Sequence, residues 1–198
     1  MRSDFLIMNQ GPKISLILLS FCTLLSSSTL SSAQDNPIDS LRAKISQASG
    51  QEKVVLLNRL SKEYWQISPD SSLKYANMAL ETALYVDDPG PVSDAYNRIG
   101  NAYYFLGDTS LALKNYQRSL KIRKDLKDPE RLIQIYNNLG VHHLRTSRQD
   151  LALQYYQKAL ETSKNANMPQ LQANSVRALA GYYQGINNYQ KAIEYYLK

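Results

Sequence analysis

His142 and His143 are the only histidines of the chain, and this adjacent pair is its nearest approach to a metal or acid–base centre. Adjacent residues on a helix point about 100° apart at 3.6 residues per turn, so the two rings do not close on one ion from one side. No cysteine and no group of carboxylates accompanies them, and the pattern points to packing rather than ligation or proton transfer. The sequence has no glycine-rich phosphate loop, nucleophile elbow or zinc-ligand spacing. A chain with no catalytic residue, metal ligand or cofactor is therefore expected. Lys114, Arg118 and Lys121, continued by Arg123, Lys124 and Lys127, form a basic stripe that phosphates could meet. Asp125, Asp128 and Glu130 interrupt its charge. The expectation is a solvated face and no nucleic-acid partner.

The single cysteine, Cys22, falls in a leader. Arg2 and Lys13 precede an apolar run from Ile14 to Leu25, and the small-residue stretch SSSTLSSA ends at Ala33. That is the order of a secretory signal, with Ser31 and Ala33 suited to the positions before cleavage. The run is well short of the roughly 20 residues that span a bilayer, and Phe21 before Cys22 is too bulky for a lipid-attachment signal. Cleavage near Ala33 and export to the periplasm or cell envelope are expected. The mature chain would then have no disulfide and would depend on packing alone. Loss of Arg2, Lys13 and Asp4 lowers the formal charge of +6 by one, which permits acidic partners without demanding any.

The elements that must position everything else repeat. IGNAYYFLGDTSLALKNYQRSL from Ile99 returns as LGVHHLRTSRQDLALQYYQKAL from Leu139. Leu80, Leu120 and Leu160 share one phase of a 40-residue period; so do Ala112, Ala152 and Ala192, and so do Pro89, Pro129 and Pro169. Self-similarity at this period means stacked supersecondary units. Each unit divides into helix A and helix B. Asp88-Pro89 and Asp128-Pro129 place a capping carboxylate before a first-turn proline; Met168 replaces the Asp in the next copy. Ala95, Ile99, Ala102, Tyr103 and Leu106 make an apolar stripe at helical spacing, and Gly107-Asp108 ends it. Gly100, Gly140 and Ala180 are expected where helix A meets helix B, opposite Ala112, Ala152 and Ala192. Fifteen tyrosines against three phenylalanines suggest half-buried rings, one of each Tyr-Tyr pair going to the core and the other facing the groove or a neighbour.

These residues resemble a tetratricopeptide repeat. Tyr96, Ile99, Gly100, Tyr103, Ala112, Tyr116 and Ser119 match the family pattern in one unit, as do Tyr136, Leu139, Gly140, His143, Ala152, Tyr156 and Ala159 in the next. The resemblance implies an all-α fold, a right-handed α-solenoid of about four helix-turn-helix units. The expected units are 51–88, 89–128, 129–168 and a truncated 169–198, after a 34–50 segment holding a short capping helix from Ile38 to Ala48. It further implies a concave groove lined by the A helices that holds a peptide or protein segment. Carried onto this sequence, the groove residues are Asn58, Trp65, Asn97, Asn101, Tyr104, Phe105, Asn137, Asn138, Arg145, Arg177 and Gln184. Asparagine both donates and accepts, so Asn58, Asn97 and Asn137 would grip a peptide backbone, with Trp65, Tyr104 and Phe105 as apolar anchors. The family's carboxylate clamp is not reproduced, since Asn97, Asn174 and Ala178 stand where its basic residues would be.

The chain stops in YYLK with the second helix of the fourth unit short. Solenoids need covered ends, so the open end implies self-association or a continuing chain. A leader, a short helix, a divergent first repeat and 40-residue units also resemble the extracytoplasmic input region of bacterial sensor kinases and regulators. That resemblance would put transmembrane and kinase regions beyond residue 198.

Overall fold

The computed structural model describes residues 36–197. The leader assigned to residues 1–33 lies outside them. The described chain runs through α1 (Pro37–Gln47), α2 (Gly50–Tyr64), α3 (Pro69–Val86), α4 (Pro89–Leu106), α5 (Thr109–Asp125), α6 (Pro129–Arg145), α7 (Gln149–Asn165), α8 (Pro169–Gly185) and α9 (Tyr189–Tyr196), with no strand among the described residues. From α2 onward these alternate as A and B helices, which makes the fold an α-solenoid of stacked helix pairs.

The helix starts follow from local chemistry. Asp88 accepts from the Gly90 amide, Asp108 from that of Leu111 and Asp128 from that of Arg131, each satisfying an orphan first-turn donor. Met168 makes no such bond, as its side chain dictates. The turns follow one backbone plan. Gly107, Ser147 and Asn187 adopt positive φ after the A helices; Asp87, Lys127 and Asn167 do so after the B helices. In four of these turns the next amide reaches back five residues, as from Arg148 to the His143 carbonyl at 2.8 Å and from Asp128 to the Arg123 carbonyl at 3.2 Å. A left-handed residue followed by this bond closes a helix end while satisfying its last carbonyls. The residue donating it then opens the next helix, so each turn is only two residues deep.

Packing alternates A against B. Leu57, Leu60, Leu139 and Leu179 are fully buried, as are Ala79, Ala95, Ala112, Ala152 and Ala159. Each buried leucine contributes about 1.5–3 kcal/mol. Gly100 and Gly140 do meet helix B, but their partners are rings rather than Ala112 and Ala152. A Cβ on either glycine would lie 2.6 Å from the ring of Tyr116 or Tyr156. In the first unit Ser61 holds the glycine column and Ala76 the tyrosine column. There Ser61 and Ser72 exchange hydroxyl-to-carbonyl bonds of 2.9 Å across the interface. Ser93 and Ser119 repeat the exchange at 3.1 and 2.8 Å, so all four of these buried hydroxyls are matched. Helix α1 seats Leu41 against Leu60 and Tyr64, and Arg42 donates to the Tyr64 hydroxyl at 2.7 Å.

The Tyr182-Tyr183 pair divides between its own unit and the neighbouring one. Tyr182 and Tyr183 are both buried, because Tyr182 packs on Tyr156 of the preceding unit while Tyr183 stacks on Tyr195. The basic stripe also needs correction. Lys114, Arg118, Lys121, Lys124 and Lys127 are exposed, but Arg123 is buried. Its guanidinium donates to Asp128 Oδ2 at 2.8 Å, Asp94 Oδ1 at 2.7 Å and the Gly90 carbonyl at 2.7 Å. It thus ties α5 to the first turns of α4 and α6.

Candidate ligand-binding groove

Helix α2 touches α4, α4 touches α6 and α6 touches α8, whereas α3, α5 and α7 make no such next-but-one contact. The A helices are therefore the inner, concave layer. None of the helices among the described residues is long and apolar enough to cross a membrane.

The asparagines expected on this face divide. Asn101 is buried, and its Oδ1 accepts from the Tyr116 hydroxyl at 2.8 Å. Burial pushes the Tyr116 phenol above its ordinary range, so it remains a donor. Asn97 is also buried, and its Oδ1 accepts from Asn138 Nδ2 at 2.9 Å. These contacts engage both side chains within the fold: Asn101 orients a core tyrosine, while Asn97 and Asn138 fasten α4 to α6. Asn58 Oδ1 and Asn137 Oδ1 are buried with no hydrogen-bond partner.

The aromatic residues do come together at one edge. Trp65 and Phe105 meet edge-on with centroids 5.4 Å apart, and Phe105 meets Tyr104 at 5.4 Å. Arg145 lies over the Tyr104 ring at 4.6 Å and donates to the Tyr104 carbonyl. Four residues expected in one groove thus form a ladder from α2 through α4 to α6. Phe105 remains 38% exposed, so the ladder leaves an apolar ring partly open. Arg177 and Gln184 lie apart from it on α8. Arg177 borders a cleft shared with Tyr195 and Tyr196, and Gln184 accepts from the Tyr196 hydroxyl at 3.2 Å.

A feature absent from the sequence reading lies beside the ladder. Arg59, Lys62, Arg98 and Arg131 line a cleft of about 420 Å³ with Asn58 and Asp94. They come from α2, α4 and α6. Arg98 is half-buried, its Nε is enclosed without a partner, and it makes no ion pair among the described residues. Burial pushes its guanidinium below the ordinary arginine range, and Arg131 adds to that push against the opposing pull of Asp94. An arginine does not give up its proton at such a site; Arg98 holds a half-buried charge that Asp94 favours without an ion pair between them among the described residues. Position 98 falls on the concave face, 39 residues after Arg59, and that spacing was the signal available in the sequence.

The histidines sit between layers. His142 meets the Tyr116 ring at 6.3 Å, and His143 stacks on Tyr155 at 5.3 Å. Both Nδ1 atoms are buried without a partner. Burial lowers both pKa values first, with Arg148 contributing to each. Among the described residues no three His, Cys, Asp or Glu side chains converge as metal ligands would.

A family model described as a tetratricopeptide repeat matches residues 91–165 and again 131–198. No curated protein matches the chain. Among solved structures, a Rap protein complexed with Competence and Sporulation Factor superposes with a TM-score of 0.72 at 21% identity, over 80% of this chain and 46% of that one. Aspartyl phosphate phosphatase F from Bacillus subtilis gives 0.63 at 18% identity, over 73% and 38%. A signal transduction ATPase with a tetratricopeptide repeat sensor from Pyrococcus horikoshii gives 0.64 at 22% identity, over 78% and 24%. The chain spans less than half the length of each of these relatives, and at such identity the likeness is one of fold.

Proposed function

The chain belongs to the tetratricopeptide repeat family, and we propose that it is a non-catalytic scaffold that holds a peptide or protein segment on its concave face. The observation that carries this reading is the ladder of Trp65, Phe105, Tyr104 and Arg145. It joins three consecutive A helices, is not needed to close a unit, and leaves Phe105 open. Exposed aromatics beside cations are the residues that anchor partners. A Rap neighbour solved with a bound factor supports the idea that such a fold carries a separate partner. One neighbour bears a phosphatase name, but this chain spans too little of that protein to inherit an activity.

The leader supports export, and with it a second reading in which the same groove is the sensory input of a membrane-bound kinase or regulator. Fractionation of the native gene product decides between the two. A soluble envelope protein favours the free scaffold, and a heavier membrane-bound product favours the sensor. The shared claim is tested by Trp65→Ser with Phe105→Ser. Partners recovered by affinity capture with the native chain should be lost with this variant and kept with Lys114→Ser on the outer face, with circular dichroism unchanged. Equal capture by all three would remove the groove from the mechanism.

A further inference from the structure

We propose that the outer face of α5 docks the solenoid on an anionic lipid surface, with Leu84 and Tyr85 at the end of α3 entering the headgroup layer. This surface belongs to the B helices, opposite the groove, and does not depend on the groove reading. The cations of α5 are in conflict with their own helix. Lys114, Arg118, Lys121 and Lys124 are exposed and follow one another by four, three and three residues. Residues at those spacings are neighbours on a helix, and like charges there destabilise it. The flanking B helices avoid this. Glu81 on α3 and Glu161 on α7 stand where α5 has Lys121, and Glu161 separates Lys158 from Lys164. No ion pair among the described residues relieves the α5 row. Arg118 rests on the Tyr96 ring at 5.3 Å, which places its charge without neutralising it. Asp125 is exposed four residues beyond Lys121 and pairs with none of the four. The helix dipole accounts for Lys124 in the last turn, but not for the three before it.

A repulsive row kept on an exposed face is offset by an opposite charge brought from outside the fold. From Lys114 to Lys124 the row is roughly 15 Å long, and it runs along the middle of the three outer helices α3, α5 and α7. The crest of a convex layer meets a plane more readily than a partner that needs a cleft. The apolar residues beside it point to lipid. Leu84 and Tyr85 are 62% and 84% exposed, and their columns hold Lys124-Asp125 and Lys164-Asn165 in the next two units. Met78 is exposed about two turns earlier on the same helix. Leucine and tyrosine beside lysine settle where headgroups meet acyl chains, whereas a nucleic acid has no apolar layer to receive Leu84. Glu81 and Asp87 oppose the approach of α3 by itself, so the α5 row supplies the attraction.

Co-sedimentation of the full chain with vesicles of equal parts phosphatidylglycerol and phosphatidylcholine tests this, against vesicles of phosphatidylcholine alone. The leader is common to every variant and sets a shared background. The expected result is an excess of bound chain on the anionic vesicles that fades as salt rises. Lys121→Glu, which copies Glu81 and Glu161, should cut that excess by about tenfold or more and at the same time raise the melting temperature. Leu84→Ser with Tyr85→Ser should lower the excess several-fold, and Trp65→Ser with Phe105→Ser in the groove should leave it alone. Equal binding by the native chain and Lys121→Glu, or by the native chain to both kinds of vesicle, would overturn the proposal and leave the groove reading standing. Duplex DNA that holds the chain as firmly as the anionic vesicles, with Leu84→Ser and Tyr85→Ser without effect, would replace lipid by a general polyanion. A lower melting temperature for Lys121→Glu would also sink the idea, because the row would then be satisfied within the fold.

Discussion

Arg123 shows how a single side chain is reassigned by what lies opposite. Its column holds Ala83 and Ser163 in the neighbouring units, both fully buried, so an arginine there had to bring its own partners. Removing it leaves Asp94 and Asp128 without their shared cation. Those carboxylates are 32% and 29% exposed, so the loss falls below that of a fully buried pair. Arg123→Met should destabilise by roughly 2 kcal/mol in urea unfolding, while Lys121→Met on the exposed face should stay within about 0.5 kcal/mol. Equal effects would mean the network is idle. The histidines carry a pH signature. Their folded pKa values lie below the ordinary histidine value, so the unfolded chain binds protons that the folded chain refuses. Their contribution to stability is complete above about pH 6.5 and is lost as pH falls from there through the depressed folded values. Urea midpoints should therefore drop on acidification through that range. His142→Tyr with His143→Tyr, which copies the Tyr182-Tyr183 pair of the next unit, should flatten this slope, and an unchanged slope would assign it to other groups.

Between helices, the deciding contact is a glycine against a tyrosine ring. Gly140→Ala places a methyl 2.6 Å from the Tyr156 ring and should destabilise by about 1–3 kcal/mol, read as a lower melting temperature. The same substitution at Gly181, which has nothing within 4 Å of its Cβ position, should do no harm and serves as the control. The fourth unit illustrates the rule: Ala180 occupies the glycine column, and its column partner Tyr196 is 56% exposed. The turns make a second case. Ser147 has φ of 58°, a region where a side chain costs about 1–2 kcal/mol, so Ser147→Gly should raise the melting temperature despite the added freedom of the unfolded chain. The 40-residue spacing from Gly107 marks this position in the sequence, although serine by itself gives no sign of it.

For the molecule as a whole, stability is a sum over neighbours. Deleting residues 129–168 joins Asp128 to Pro169, restores the Asp-Pro start that Met168 lacks, and brings Tyr116 against Tyr182 as Tyr156 is now. The shortened chain should keep its helical content per residue and melt cooperatively at a lower temperature; a collapse of helicity would show that the units are not interchangeable. What the sequence determined by itself was this periodic frame: the helix starts at Asp-Pro, the turn at Gly107 and the buried columns, to which the family resemblance added an A-helix layer carrying Trp65, Tyr104, Phe105 and Arg145. These follow from local capping chemistry and from a spacing that the comparison of successive units reveals. Which polar side chains remain free was decided only by the tertiary structure. Asn97 and Asn101 find Asn138 and Tyr116, and Arg123 finds Asp94 and Asp128, while Arg59, Lys62 and Arg98 find no ion-pair partner among the described residues. A polar group's role depends on what the neighbouring helix places within about 3 Å of it, and that neighbour is distant in sequence and outside the repeat's own pattern.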